Sequence, residues 1–193
     1  MAYYSSNGVD REVEQYLPSW GYACDVGAND GAFSSNSLCF EQMGWYVLCV
    51  EPNPVFEQEA RKHRKLWRQV AVSDKNGEAL FTQFGPYPWG GSGLKDLKGL
   101  RNNYPGEPVL EMMVPTRKLD TILEEAGFPR LDYLTVDCEG CEPEVLAGFT
   151  VERWKPRVMV FENNHVRGAF SIPGYVHTQT REVDEIYIRQ TPA

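Results

Sequence analysis

Short apolar runs alternate with helix-patterned stretches along this chain, and that alternation restricts the fold more than any other feature of the sequence. Gly21 to Val26, Trp45 to Val50, Trp67 to Val72, Leu131 to Val136 and Val158 to Phe161 are of strand length and largely apolar, as strands covered on both faces of a parallel sheet are. Ala32 to Met43, a segment opening at Asn53-Pro54, and Lys118 to Ala126 read as helices. Asn53 suits a helix cap, Pro54 a first helical position, and Gly127 a helix stop. Glu78 to Phe84 and Val109 to Val114 read as further strands after a turn at Ser73 to Gly77. The tail from Gly174-Tyr175 through Asp184 to Ile188 reads as an antiparallel hairpin. The expected architecture is therefore α/β, a doubly wound, mostly parallel seven-stranded sheet with a C-terminal hairpin.

A length of 193 residues suits one domain spanning 1–193. Residues 85–108 interrupt the alternation: ten of the 24 are Gly or Pro, with Tyr87, Trp89 and Tyr104 among them. A loop of that length in a compact domain is read as a functional lid, and its aromatics as substrate contacts.

Hydrophobic residues make up 42% of the chain and charged residues 24%, proportions of a chain that folds rather than one that stays disordered. A net charge of −8 argues against a general polyanion binder. Arg61 to Arg68 holds five of the 19 basic residues and no acid; it is read as a helix end complementing the dipole, with RNA contact as the minor alternative. The N-terminal residues lack the pattern of an export signal, and no apolar run is long enough for a membrane span. Cys24 and Cys49 fall inside apolar runs, where free thiols act as small hydrophobes, so a cytoplasmic location is expected. Cys138 and Cys141 have CxxC spacing, but acidic neighbours disfavour thiolates and no second pair completes a zinc site.

The chemistry is carried by Asp25-Val-Gly-Ala-Asn-Asp-Gly31, placed where the first strand meets the first helix, the nucleotide position of a doubly wound sheet. Asn29 occupies the middle glycine position of a dinucleotide fingerprint, so a pyrophosphate fits poorly. A carboxylate at the head of the loop favours a ligand carrying positive charge. Glu51, 20 residues beyond Gly31 at the end of the second strand, is placed to accept hydrogen bonds from ribose hydroxyls. A ribose and a cationic tail together describe S-adenosylmethionine.

Four blocks then extend the pattern: Asp25 to Ser34, Val50-Glu-Pro-Asn-Pro54, Val70 to Glu78, and Leu119-Asp-Thr121 leading to Val136-Asp-Cys-Glu-Gly-Cys-Glu142. In order and spacing, over roughly residues 20–165, the chain resembles the FkbM-type S-adenosylmethionine-dependent methyltransferases. That resemblance implies a class I, Rossmann-like methyltransferase fold. It also implies that Asp25, Gly27, Asn29 and Gly31 hold the methionine portion, that Glu51 with Pro52 holds the ribose, and that Ala71, Val72 and Ser73 border the adenine. Where family members often carry a lysine two residues before the acid corresponding to Asp137, this chain has Thr135.

Methyl transfer to a hydroxyl needs positioning and a means of removing the proton. Asp137 ends one strand and borders the cofactor, Glu139 is a candidate substrate contact, and Glu162 and His165 follow the next strand. Asp137, Glu162 and His165 are the candidates for proton transfer. Asp137 and Glu162 are also the pair that would hold a divalent cation, a version less favoured because one acid pair seldom supplies a complete ligand set. The expected activity is methyl transfer to a hydroxyl of a small molecule or sugar. The alternatives are a SAM-binding module without chemistry and, less favoured, an RNA methyltransferase.

Overall fold

The computed structural model describes residues 2–84, 92–94, 109–163 and 169–190. The chain is mixed α/β and carries two sheets. Strands β1 (Tyr22–Val26), β2 (Tyr46–Val50), β3 (Leu66–Arg68), β8 (Tyr133–Val136), β9 (Val158–Glu162), β10 (Tyr175–Arg181) and β11 (Asp184–Arg189) form the larger sheet in the order β10-β11-β9-β8-β1-β2-β3. The five strands from β9 to β3 pair in parallel. β11 runs antiparallel to both its neighbours, so six of the seven strands share one direction.

The second sheet corrects the sequence reading. β4 (Ala71–Val72), β5 (Gly77–Phe84), β6 (Ser92–Gly93) and β7 (Val109–Arg117) form it in the order β4-β7-β5-β6. The strand expected at Trp67 to Val72 is two strands in two sheets: β3 pairs with β2, whereas β4 pairs with Thr116 and Arg117 of β7. β10 and β11 complete the larger sheet, and β5 and β7 lie outside it. Local pattern signals a strand but not its partner, which long-range pairing decides.

Alternating side chains of the larger sheet feed two cores. Cys24, Val26, Leu48, Leu134, Val136 and Phe161 pack on one face under α4 (Leu119–Glu125), α5 (Glu142–Ala147) and α6 (Val151–Trp154). Ala23, Val47, Cys49, Tyr133, Val160 and Ile186 pack on the other under α1 (Val9–Val13), α2 (Leu38–Gln42) and the segment around Phe56 and Ala60. Gly127 ends α4 at φ +71°, where Phe128 N–H returns to the Leu123 carbonyl, a closure that favours glycine. The Asn53 side chain caps the next segment by accepting from Val55 N–H at 3.1 Å. That segment is one 3₁₀ turn followed by the short α3 (Glu57–Ala60).

The helix expected from Ala32 is confined to Leu38–Gln42. Asp30 accepts from the N–H groups of Ala32 and Phe33, and Ser35 from those of Ser37 and Leu38. Asn29 and Ser34 adopt positive φ. Short polar side chains here bind nearby backbone in place of helical bonds. Of the proposed lid, only Ser92 to Leu94 fall among the described residues, with Ser92 and Gly93 pairing to β5. Tyr87, Trp89, Tyr104 and His165 lie outside the described residues.

Candidate active site

The order of the larger sheet reverses at β1: the chain runs outward to β2 and β3, then resumes on the other side at β8. In such sheets a crevice opens beyond the strand ends at that point. Here the ends nearly touch. Asp137 N–H donates to Val26 O at 2.9 Å, and Gly27 N–H crosses to Val50 O at 2.9 Å. A Cβ on Gly27, at φ +82°, would lie 1.6 Å from the Asp137 carbonyl oxygen. Only glycine lets the β1 exit pass so close to β8.

A cavity of about 350 Å³ lies over this junction. Asp25, Gly27, Asn29, Glu51, Pro52, Ala71, Val72, Asp137 and Glu139 are among the residues that line it, all of them candidates from the sequence. Three described candidates are not among its lining residues: Glu162, which meets Asp137 beside it, Gly31 and Ser73. Gly31 is turned to α3, where a side chain would meet Arg64 and Ala60. Ser73 extends the β4–β7 ladder by donating its N–H to Arg117 O. The sequence reading missed Phe33, Asn36 and Phe81, which also line the cavity. Phe33 is 52% exposed at its mouth, and β5, which carries Phe81, was expected in the main sheet.

Glu51 is buried at the end of β2 and clamps the loop: one carboxylate oxygen accepts from Asn29 N–H at 3.2 Å and the other from Asn53 N–H at 2.8 Å. Burial pushes its pKa up to about 7 against these two donors, and the charge of Asp25 adds to the rise. The carboxylate thus has a structural task besides any ligand.

Asp137, Glu139 and Glu162 each bring a carboxylate oxygen to within 4.8 Å of the other two. Asp137 is exposed as a residue, yet loss of water around its carboxyl group, and then the Glu162 charge, push its pKa up. Glu162 is raised to about 7 by burial and by Glu139 and Asp184, while its hydrogen bond with Asp137 opposes the rise. Two acids this close titrate as a unit and retain a shared proton into the neutral range. The carboxylate that shapes the turn before α5 is Glu142, which accepts from Cys138 N–H at 3.1 Å and Gly140 N–H at 3.2 Å. All five cysteines are free, and among the described residues no cysteine joins a metal-ligating cluster.

The basic run follows the end of α3, as its reading as a dipole-complementing helix end expects, but one of its side chains turns inward. Arg61 pairs with Glu57, and Lys62 with Glu59, at the surface. The Arg64 side chain is wholly buried and faces Asp25 and Glu41. Phe56, Ala60 and Arg64 are all buried at intervals of four, so the helical stripe was the available signal.

The profile of the Methyltransferase FkbM domain matches residues 25–189. The chain belongs to the FkbM methyltransferase family. Among curated members, it is 29% identical over 196 aligned positions to the 31-O-demethyl-FK506 methyltransferase FkbM of Streptomyces tacrolimicus, covering 84% of this chain and 75% of that protein. It is 27% identical over 146 positions to the 2-O-methyltransferase NoeI of Sinorhizobium fredii, covering 64% of this chain and 55% of NoeI. The aligned region thus spans just over half the length of NoeI. Among the described residues no helix is long and apolar enough to cross a membrane.

Proposed function

We propose that this member of the family is an S-adenosylmethionine-dependent O-methyltransferase whose acceptor is a hydroxyl of a small molecule or sugar. The observation that carries the reading is the crevice itself, where Glu51, Gly27 and Asp137 meet beyond the ends of β2, β1 and β8. The strand order, with one antiparallel strand next to last, supports a class I methyltransferase fold. The residues fit the cofactor chemically. Val50, Val70, Val72, Phe56 and Phe81 offer apolar surface for a base, and Glu51 is the acceptor for ribose hydroxyls. Among the described lining residues four are carboxylates and none is Lys, Arg or His. That charge suits a sulfonium and favours a neutral acceptor over a phosphorylated one.

When bound, S-adenosylmethionine supplies an electrophilic methyl group. The chain's own part is to orient the acceptor and take its proton, and the Asp137–Glu162 pair is the group placed for it. A carboxyl pair sharing a proton near neutrality can receive the proton that the acceptor hydroxyl gives up as its oxygen takes the methyl group from sulfur. Glu139 borders the same space as an acceptor contact. Both curated relatives carry oxygen-directed names, which supports an oxygen acceptor. The reading is metal-free, and turnover retained in chelator is the expected outcome; loss of turnover restored by a divalent cation would overturn it.

Labelled cofactor offered with a panel of hydroxylated metabolites and sugars tests the proposal. Transfer of label to an oxygen is the expected result. Binding of S-adenosylhomocysteine without transfer to any acceptor would favour the binding-module alternative, which Thr135 in the lysine position motivates. Thr135 is buried, and its hydroxyl accepts from Asn36. The RNA alternative has less behind it, because Arg64 is buried and Arg61 and Lys62 are ion-paired, which leaves Lys65 and Arg68 as the exposed cations of that run.

A further inference from the structure

Arg64 lines no part of the crevice, yet it gathers the loop that forms one wall. Its Nε donates to Gly31 O at 2.5 Å, and its Nη1 to Glu41 at 3.2 Å. Its Nη2 reaches Ser35 Oγ at 2.5 Å, Ser37 Oγ at 3.0 Å and Asp25 Oδ2 at 3.4 Å. Ser35 and Ser37 also donate to that same Asp25 oxygen. Every hydrogen bond to Asp25 therefore falls on Oδ2. Oδ1 accepts from no group among the described residues. Asp25 faces the crevice, so Oδ1 is the oxygen it has to offer a ligand.

We propose that Arg64 is a positioning residue for the cofactor, fixing the 27–37 loop and turning one oxygen of Asp25 toward the ammonium-bearing end of the bound molecule. This rests on the reading of the crevice as an S-adenosylmethionine site. The guanidinium is suited to the task because its planar fork meets the Gly31 carbonyl, Glu41 and the Ser35–Ser37–Asp25 group at once, which a lysine ammonium cannot do. It also offsets the negative charge of the two buried carboxylates Asp25 and Glu41, which would otherwise face each other without a cation between them.

The proposal predicts a split between two halves of one ligand. Adenosine engages the Glu51, Ala71 and Val72 side of the crevice. S-adenosylhomocysteine adds the amino-acid end that would meet Asp25. Calorimetric titration of each into the full chain and into Arg64→Lys is the experiment. A second variant, Arg64→Met combined with Glu41→Gln, avoids stranding two buried charges, and thermal melts establish that each variant is folded. The expected result is a fall of about 10- to 100-fold in S-adenosylhomocysteine affinity, with adenosine affinity close to the wild-type value. An unchanged ratio between the two ligands in a folded variant, whether both hold or both fall together, would make Arg64 structural only and overturn the proposal. Wild-type protein that binds neither ligand would overturn the cofactor reading and this proposal with it. Wild-type binding with no split overturns the positioning role alone.

Discussion

A methyl group at position 27 would sit 1.6 Å from a backbone oxygen that cannot retreat without tearing Asp137 N–H from Val26 O. Gly27→Ala is accordingly expected to cost about 3 kcal/mol or more in urea unfolding, from strained backbone and overpacking together. Glu51→Ala should weaken S-adenosylhomocysteine binding by about 1–3 kcal/mol in calorimetry; unchanged affinity would remove Glu51 from the ligand. Part of that loss would come from releasing Asn29 and Asn53. Asp137→Asn should depress turnover by about 10²–10⁴-fold and leave cofactor affinity nearly unchanged. Full activity in both Asp137→Asn and Glu162→Gln would end the carboxyl-pair account of proton removal. Glu51 and Asp137 were legible from the sequence because each ends an apolar run, and a strand end in such a sheet is an address. Arg64 was missed because its neighbours are also basic, and only its spacing of four from Phe56 and Ala60 marks it as the one that turns inward.

At the scale of elements, the acids at the ends of β2 and β9 set the direction of the pH response. Glu51 and Glu162 are raised to about 7 in the folded chain, well above the usual carboxylate range. The folded state therefore holds these protons more tightly than the unfolded one. Their contribution to stability is complete below the unfolded pKa and is lost as pH rises through about 7. The urea midpoint of the ligand-free protein should fall between about pH 5 and pH 7.5, and Glu162→Gln should flatten part of that fall. A midpoint rising over the interval would contradict the burial of these groups. The strands β1, β2, β8 and β9 were readable because burial on both faces leaves continuous apolar runs. The helix placed at Ala32 was not stopped in time, since Ser35, Asn36 and Ser37 act through bonds to Asp25, Arg64 and Thr135 that only the folded chain provides.

In the whole molecule, the position of β11 matters most. It lies between β9 and β10 and buries Ile186 and Tyr187, one on each face of the sheet. A chain ended after residue 182 would leave β9 as an edge and both cores open, and circular dichroism melts of that truncation should show no cooperative transition. The reading by alternation could not foresee the division into two sheets, because β3 and β4 are separated by only Gln69 and Val70, and the choice of partner is made by Thr116 and Arg117 far along the chain. Interior placement of so late a strand also sets a schedule for biosynthesis. Every other described strand precedes β11 in the chain, so a nascent chain holds β9 without its antiparallel neighbour until β11 has been made, and completion of the sheet is a late, long-range event.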